Sequence, residues 1–223
     1  MTMKIKIAEN VFSVKNGNDK LLDYFKDFIT FEKENHTLDF NDYNGDFTEK
    51  TLALFQDIIL WLLNNRNVLR IHSSAVKAGE NVYSFLAPSG TGKSTHANLW
   101  EKYCPLAVKV INDDQPFYLF KENKVFAYSS PLSGKNNKYA NDFGVVKAFV
   151  ILRQAKFNAI KKLDKKQAFI YLYKQVFIPK SVKESELTLE LLEKAVNFVP
   201  VYLLDCDISK QAYDVCFNEL IKL

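Results

Sequence analysis

Apolar positions along the chain change period several times, and each change marks an element. Lys4-Ile5-Lys6-Ile7 alternates at period two, the mark of a half-buried strand, and Val11 to Val14 reads as a second strand. Asn16-Gly17-Asn18 is a turn signal. Leu21, Leu22, Phe25, Phe28 and Ile29 then recur at helical spacing over residues 21 to 31, and Leu38 to Phe40 reads as a short strand. After a polar loop at residues 41 to 46, Asp46 with Glu49 three residues on has the form of a capping box. The helix it opens carries Leu52, Phe55, Ile59, Leu62 and Leu63 on one face, and the polar run 64 to 67 ends it.

From Val68 onward strands dominate. One is predicted through Leu69 and Ile71 to Val76, and the next over Val82 to Leu86, with a tight turn at 78 to 81. So short a connection predicts an antiparallel hairpin rather than a βαβ crossover. A helix follows to about Tyr103, where Pro105 stops it. Ala107 to Ile111 is a strand ending on Asn112-Asp113-Asp114, residues 117 to 120 and 125 to 128 form a hairpin, and Val145 to Leu152 is strongly apolar. Residues 165 to 178 and 182 to 198 read as helices, Val201 to Leu204 as a last strand, and 208 to 223 as a last amphipathic helix. The pattern predicts an α/β fold: a domain with a mixed β-sheet over residues 67–223, preceded by a small α+β module at 1–66.

Composition narrows the function classes. The 223 residues suffice for one substantial domain with a small appendage. A net charge of +4, from 30 basic and 26 acidic residues, is too small an excess to point to nucleic acid or to a membrane surface. The most apolar window, Leu52 to Leu63, is interrupted by Gln56 and Asp57 and is too short to span a bilayer. Met1 to Val14 has no apolar run followed by a small-residue cleavage site, so no signal peptide is expected. Cys104, Cys206 and Cys216 have no Cys-x-x-Cys spacing, which suggests neither a disulfide framework nor a zinc site and fits a reducing cytoplasm. The oligomeric state is left open, a homo-oligomer included.

The candidate chemistry lies between the Val82–Leu86 strand and the helix that follows. Ala87-Pro88-Ser89-Gly90-Thr91-Gly92-Lys93-Ser94-Thr95 has the strand–glycine loop–helix context of a phosphate-binding P-loop. Glycines let backbone N–H groups turn inward around phosphate oxygens, and the helix N-terminus adds partial positive charge. Ser89 to Thr95 are therefore the expected nucleotide-binding residues. Lys93 is placed to neutralise the β- and γ-phosphates of ATP, and the Ser94 hydroxyl to ligate Mg²⁺. Ala87 stands where the strict pattern has its first glycine, so the first bend must be one an L-residue can make. Asp113 and Asp114 end a buried strand, where a metal partner or a base is usually held; on an extended chain they point to opposite sides, which divides the two jobs between them. His72, on the strand before the loop, would tune or orient Asp114 if it lies beside it. His96 reads as local packing or capping. Lys135, in the Ser133-Gly134-Lys135 loop, is a candidate clamp for charge on the transferred phosphoryl group.

Together these residues resemble the catalytic domain of HPr kinase/phosphorylase and the wider set of HPr-kinase-like and ATP-dependent phosphoenolpyruvate-carboxykinase-like proteins. The Ile71-His72 strand, Ala87 to Thr95, the Asp113-Asp114 pair, Thr95 to Trp100 and Ser130 to Lys135 carry the resemblance, which covers residues 68 to about 155. It implies an ATP- and Mg²⁺-dependent kinase acting on a hydroxyl, a serine of a peptide or protein or a small metabolite, with Asp113 the base, Asp114 on the metal side and His72 beside them. Two departures, Ala87 and the want of the family's later arginine-and-glycine segment, count against HPr itself as acceptor and against the phosphorylase reaction. A carboxykinase-like transfer to an enolate and a nucleotide-binding regulatory protein without turnover are the alternatives.

Overall fold

The computed structural model describes residues 1–134 and 138–223. At the N-terminus β1 (Met3–Ile7) and β2 (Asn10–Lys15) pair antiparallel, and β3 (His36–Asp39) joins β2 in parallel. Between them the stretch expected as one helix over 21 to 31 is broken. Helix α1 (Asp19–Tyr24) stops early, a 3₁₀ turn spans Lys26–Phe28, and Ile29 bridges to Ile5. The sheet competes for Ile29, and its backbone pairs with β1 instead of continuing the helix. Helix α2 (Phe47–Arg66) begins with both bonds of the capping box, Asp46 Oδ1 accepting from Glu49 N–H at 2.9 Å and Glu49 Oε2 from Asp46 N–H at 2.8 Å. It ends where Asn67 takes φ +54°, a left-handed turn that asparagine tolerates.

The second sheet has nine strands and is mixed. Its members are β4 (Val68–Arg70), β5 (Ser73–Ala78), β6 (Asn81–Leu86), β7 (Val108–Asp114), β8 (Phe117–Lys121), β9 (Lys124–Tyr128), β10 (Phe143–Gln154), β11 (Ala159–Lys162) and β12 (Val201–Cys206). The main path runs β4-β8-β9-β10-β6-β5-β7, with β12 beside the end of β10 and β11 outside it. Strands β6 and β12 lie parallel to β10, and the remaining pairs are antiparallel, including the β5–β6 hairpin expected from the sequence.

Residues 68 to 76 do not form one strand. β4 pairs with β8 while β5 pairs with β6 and β7, so the chain changes neighbours at Ile71-His72. The backbone groups freed there are taken up by another segment: Ile71 bridges Val176, and His72 N–H donates to Gln175 O at 2.8 Å. That segment is the second correction. Helix α4 (Lys165–Tyr173) ends before residue 178, because 175 to 177 run extended beside the break. A periodicity reports burial and is blind to a change of partner.

Strands at opposite ends of the path are thus joined by two residues each time, Ile71-His72 from β4 to β5 and Gln115-Pro116 from β7 to β8. Such links reach only about 10 Å. The sheet must therefore curl until its two ends face each other.

Helices cover both faces. α3 (Lys93–Tyr103) and α6 (Lys210–Leu220) pack Trp100 and Tyr213 on one, and α4 and α5 (Val182–Phe198) pack Leu172, Leu191 and Leu192 on the other. Burial on both faces explains the near-continuous apolar run of β10. Residues 1–66 share a core with the sheet: Phe25, Phe55 and Leu54 lie in one cluster with Val68, Phe117 and Leu119.

At the centre of the curl the buried Tyr118 hydroxyl lies 2.7 Å from Ser73 Oγ and donates to Ser84 Oγ at 2.8 Å, tying β8, β5 and β6 together. Burial pushes the phenol pKa up to about 12. Tyr118→Phe strands the Ser84 hydroxyl and leaves Ser73 Oγ only its 3.2 Å bond to Ile71 O, and we expect a loss of about 1–3 kcal/mol in urea-induced unfolding. An unchanged midpoint would show that the network contributes nothing.

Candidate active site

The loop at residues 87 to 92 leaves β6 and enters α3 through two left-handed glycines, Gly90 at φ +79° and Gly92 at φ +109°. A Cβ at Gly90 would meet nothing within 4 Å, so the backbone angle and not crowding requires glycine there. Ala87 is fully buried and turns its carbonyl toward Lys93.

Lys93 is the first residue of α3, and its side chain folds back over the loop. Nζ donates to Ala87 O at 2.8 Å and Pro88 O at 3.4 Å, and lies 2.9 Å from His72 Nε2. Burial pulls the ammonium pKa down, and the charges of Asp114 and Asp113 oppose that pull. Nζ has only protons to offer, so His72 Nε2 is the acceptor and Nδ1 carries the ring proton. Nδ1 sits 3.0 Å from Asp114 Oδ1. The second Asp114 oxygen accepts from Gln115 Nε2 at 3.1 Å. The His72 bond above all, with Gln115 and the neighbouring charges, holds the Asp114 carboxyl below its ordinary value against the opposing effect of burial.

The curl brings these groups together. In the β5–β7 register Ser73 faces Asp114 and Ser74 faces Asp113, so His72 at the strand break lies one step from Asp114. Asn112, fully buried, then fixes the turn out of β7: its Oδ1 accepts from Asp114 N–H at 3.0 Å and Gln115 N–H at 2.8 Å, and its Nδ2 donates to Ser130 O at 2.9 Å. Ser130 Oγ in turn donates to Gln115 O at 2.7 Å. Asp113 projects the other way, and its buried Oδ1 has no hydrogen-bond partner among the described residues. Gly134, at φ +68°, packs against the Asp114 side chain and the Asp113 backbone, where a Cβ would stand 3.2 Å from Asp114 Cβ and 3.3 Å from the Asp113 carbonyl oxygen.

Ser89, Gly90, Gly92, Lys93, Ser94 and Thr95 share one cleft of about 520 Å³ with His72, Asp113, Asp114 and Gly134. Thr91 does not line it: the Thr91 carbonyl accepts from Gln154 Nε2 at 3.3 Å, and the residue lines a neighbouring pocket. His96 is buried against Phe85, accepts from Trp100 Nε1 at 3.4 Å and has its pKa pulled to about 4 by burial, so its part is packing. Lys135 lies outside the described residues. Asn112, Gln115 and Ser130 have no role predicted from the sequence, although Asn three residues before Gln115-Pro116 is an Asx-turn signal. A second cavity of similar volume, beside the β1–β2 turn and the end of β9, has its charges already matched, with Asp142 paired to Lys77 and Lys109, Lys6 to Glu32, and Glu9 bonded to the Tyr128 hydroxyl.

Among the solved structures similar to this chain is the HPr(Ser) kinase/phosphatase from Coxiella burnetii. The match has a TM-score of 0.41 at 9% identity, over 69% of this chain and 91% of that one. No protein-family model matches the chain, and no curated protein matches its sequence. A structural likeness of this size carries no argument about chemistry, so function rests on the cleft itself. Among the described residues no helix is long and apolar enough to cross a membrane.

Proposed function

We propose that the protein is an ATP- and Mg²⁺-dependent phosphotransferase that moves the γ-phosphoryl group to a hydroxyl of a peptide, protein or small metabolite. The observation that carries this reading is the hydrogen-bonded line Lys93–His72–Asp114 beside a glycine loop, with Asp113 in the same cleft. A cation, a carboxylate fixed as an anion and a second carboxylate with an uncommitted oxygen are the groups such a transfer needs.

Loop N–H groups and Lys93 bind and orient the phosphates. The Ser94 hydroxyl and the Asp114 carboxylate, both in the cleft, form an oxygen donor set that would suit so hard a cation as Mg²⁺, which would supply positive charge against that of the phosphates. Asp114 serves that side because His72 and Gln115 orient it and keep it ionised, as outer partners do for ligating carboxylates. A carboxylate so stabilised is a poor base. Asp113, which lines the same cleft without the bonds that hold Asp114, accepts the acceptor's proton as the hydroxyl oxygen bonds to the γ-phosphorus and the bond to ADP breaks.

Two measurements test the reading. MgATP or MgADP at millimolar concentration raises the melting midpoint, because a ligand of the native state alone stabilises it by mass action. γ-Labelled ATP passes label to hydroxyl acceptors in preference to water. The absence of both a thermal shift and transfer would overturn the proposal, and a shift without transfer to any hydroxyl would leave only a nucleotide-binding protein.

A further inference from the structure

A second pocket, of about 290 Å³, adjoins the cleft and shares His72 with it. Arg70, Gln115, Lys174, Gln175 and Phe177 line the rest of its wall. Arg70 ends β4, two residues before His72 on an extended stretch, so the two side chains leave the backbone on the same side. Its guanidinium stacks 4.4 Å over the Phe177 ring, held there because Phe177 N–H donates to Arg70 O at 3.3 Å.

What sets Arg70 apart is that its guanidinium makes no hydrogen bond among the described residues. The chain has two other arginines: Arg153 forks onto Asp205, and Arg66 donates to Asn10 Oδ1 at 2.7 Å and to Asn65 O. Among the described residues no carboxylate stands within ion-pair distance of Arg70 or of Lys174. Burial pulls the Arg70 pKa down, with only the more distant Asp114 opposing. A partly buried guanidinium on an aromatic face, fork free and a lysine beside it, matches an oxyanion that offers two oxygens to the fork, as carboxylate and phosphate do.

We infer that this pocket holds the phosphoryl acceptor, and that the acceptor carries an oxyanion, carboxylate or phosphate, close to the hydroxyl that is phosphorylated. The inference rests on the phosphotransferase reading and adds the acceptor's chemical class. Arg70 and Lys174 take the oxyanion, and the hydroxyl reaches past His72 into the cleft.

Three arginines give three Nε–Hε signals in a proton–nitrogen spectrum, which makes the site directly observable. The full chain is titrated to tens of millimolar with D-glycerate, with glycerol 3-phosphate and with neutral glycerol. We expect the Arg70 signal to move saturably with one or both anions and not with glycerol, the stronger anion identifying carboxylate or phosphate. Lys174→Ala weakens that binding by about tenfold. In transfer assays the preferred anion exceeds glycerol by at least about tenfold in kcat/KM, and Arg70→Gln, checked for native folding by its melting curve, erases the difference through KM. An Arg70 signal that stays still with both anions, or that glycerol moves equally, overturns the site even if the protein transfers phosphate. A moving Arg70 signal in a protein that neither binds MgATP nor transfers label retains the anion site and overturns its assignment to an acceptor.

Discussion

Lys93→Ala is expected to leave the fold intact and to remove both stabilisation by MgATP and phosphoryl transfer. The side chain contributes little to the core, since burial already weakens its charged form and its partners are two loop carbonyls and a histidine. Its contribution comes when a phosphate oxygen competes with His72 for an ammonium proton, exchanging a neutral acceptor for an anionic one in a site of low dielectric. Losing one such preorganised charge typically costs about 10²–10³ in rate. The measurements are a thermal shift with MgATP and single-turnover transfer. A variant that turns over like the unmodified protein would remove the loop from the mechanism.

The second large effect separates the two carboxylates. Asp113→Asn is expected to bind MgATP normally and to transfer about 10²–10⁴-fold more slowly, the usual contribution of a positioned base. Asp114→Asn is expected to fail earlier, at Mg²⁺-dependent nucleotide binding. The pH dependence has a definite sign: Asp114's folded pKa lies below its unfolded value, so the stability it contributes is present above the ordinary carboxylate range and is lost as the pH falls through the lowered folded value. Nucleotide binding should therefore persist on mild acidification. If both variants bind and transfer like the unmodified protein, the Asp-Asp turn only ends a strand.

Much of this was legible in the residues because it is local. The capping box at Asp46 and Glu49, the β5–β6 hairpin and the loop with its left-handed glycines are each set by neighbours within a few positions. The position of His72 beside Asp114 could be framed from sequence only as a condition, since it depends on strand register. The break at Ile71-His72 was hidden, because burial continues on both sides of it, through Val68 and Leu69 before and Ser73 to Val76 after, and the element that caps it arrives a hundred residues later. The same segment drew residues 174 to 178 out of an otherwise helical pattern. Asn112 was read as a strand end because its partners, Ser130 and the Gln115 amide, are fixed only once the turn is formed.

The two short crossings that close the curled sheet also order the events of folding. The glycine loop with β6 and α3 is one contiguous stretch, residues 81 to 103, and can form from nearby contacts. The carboxylates reach Lys93 only after β7 has docked on β5, β4 has met β8, and the chain near residue 176 has sealed the break. Pairings of such separation are slow to form. Helical signal should therefore recover before nucleotide binding during refolding, and partial unfolding at the sheet's closure should abolish binding while most of the secondary structure survives.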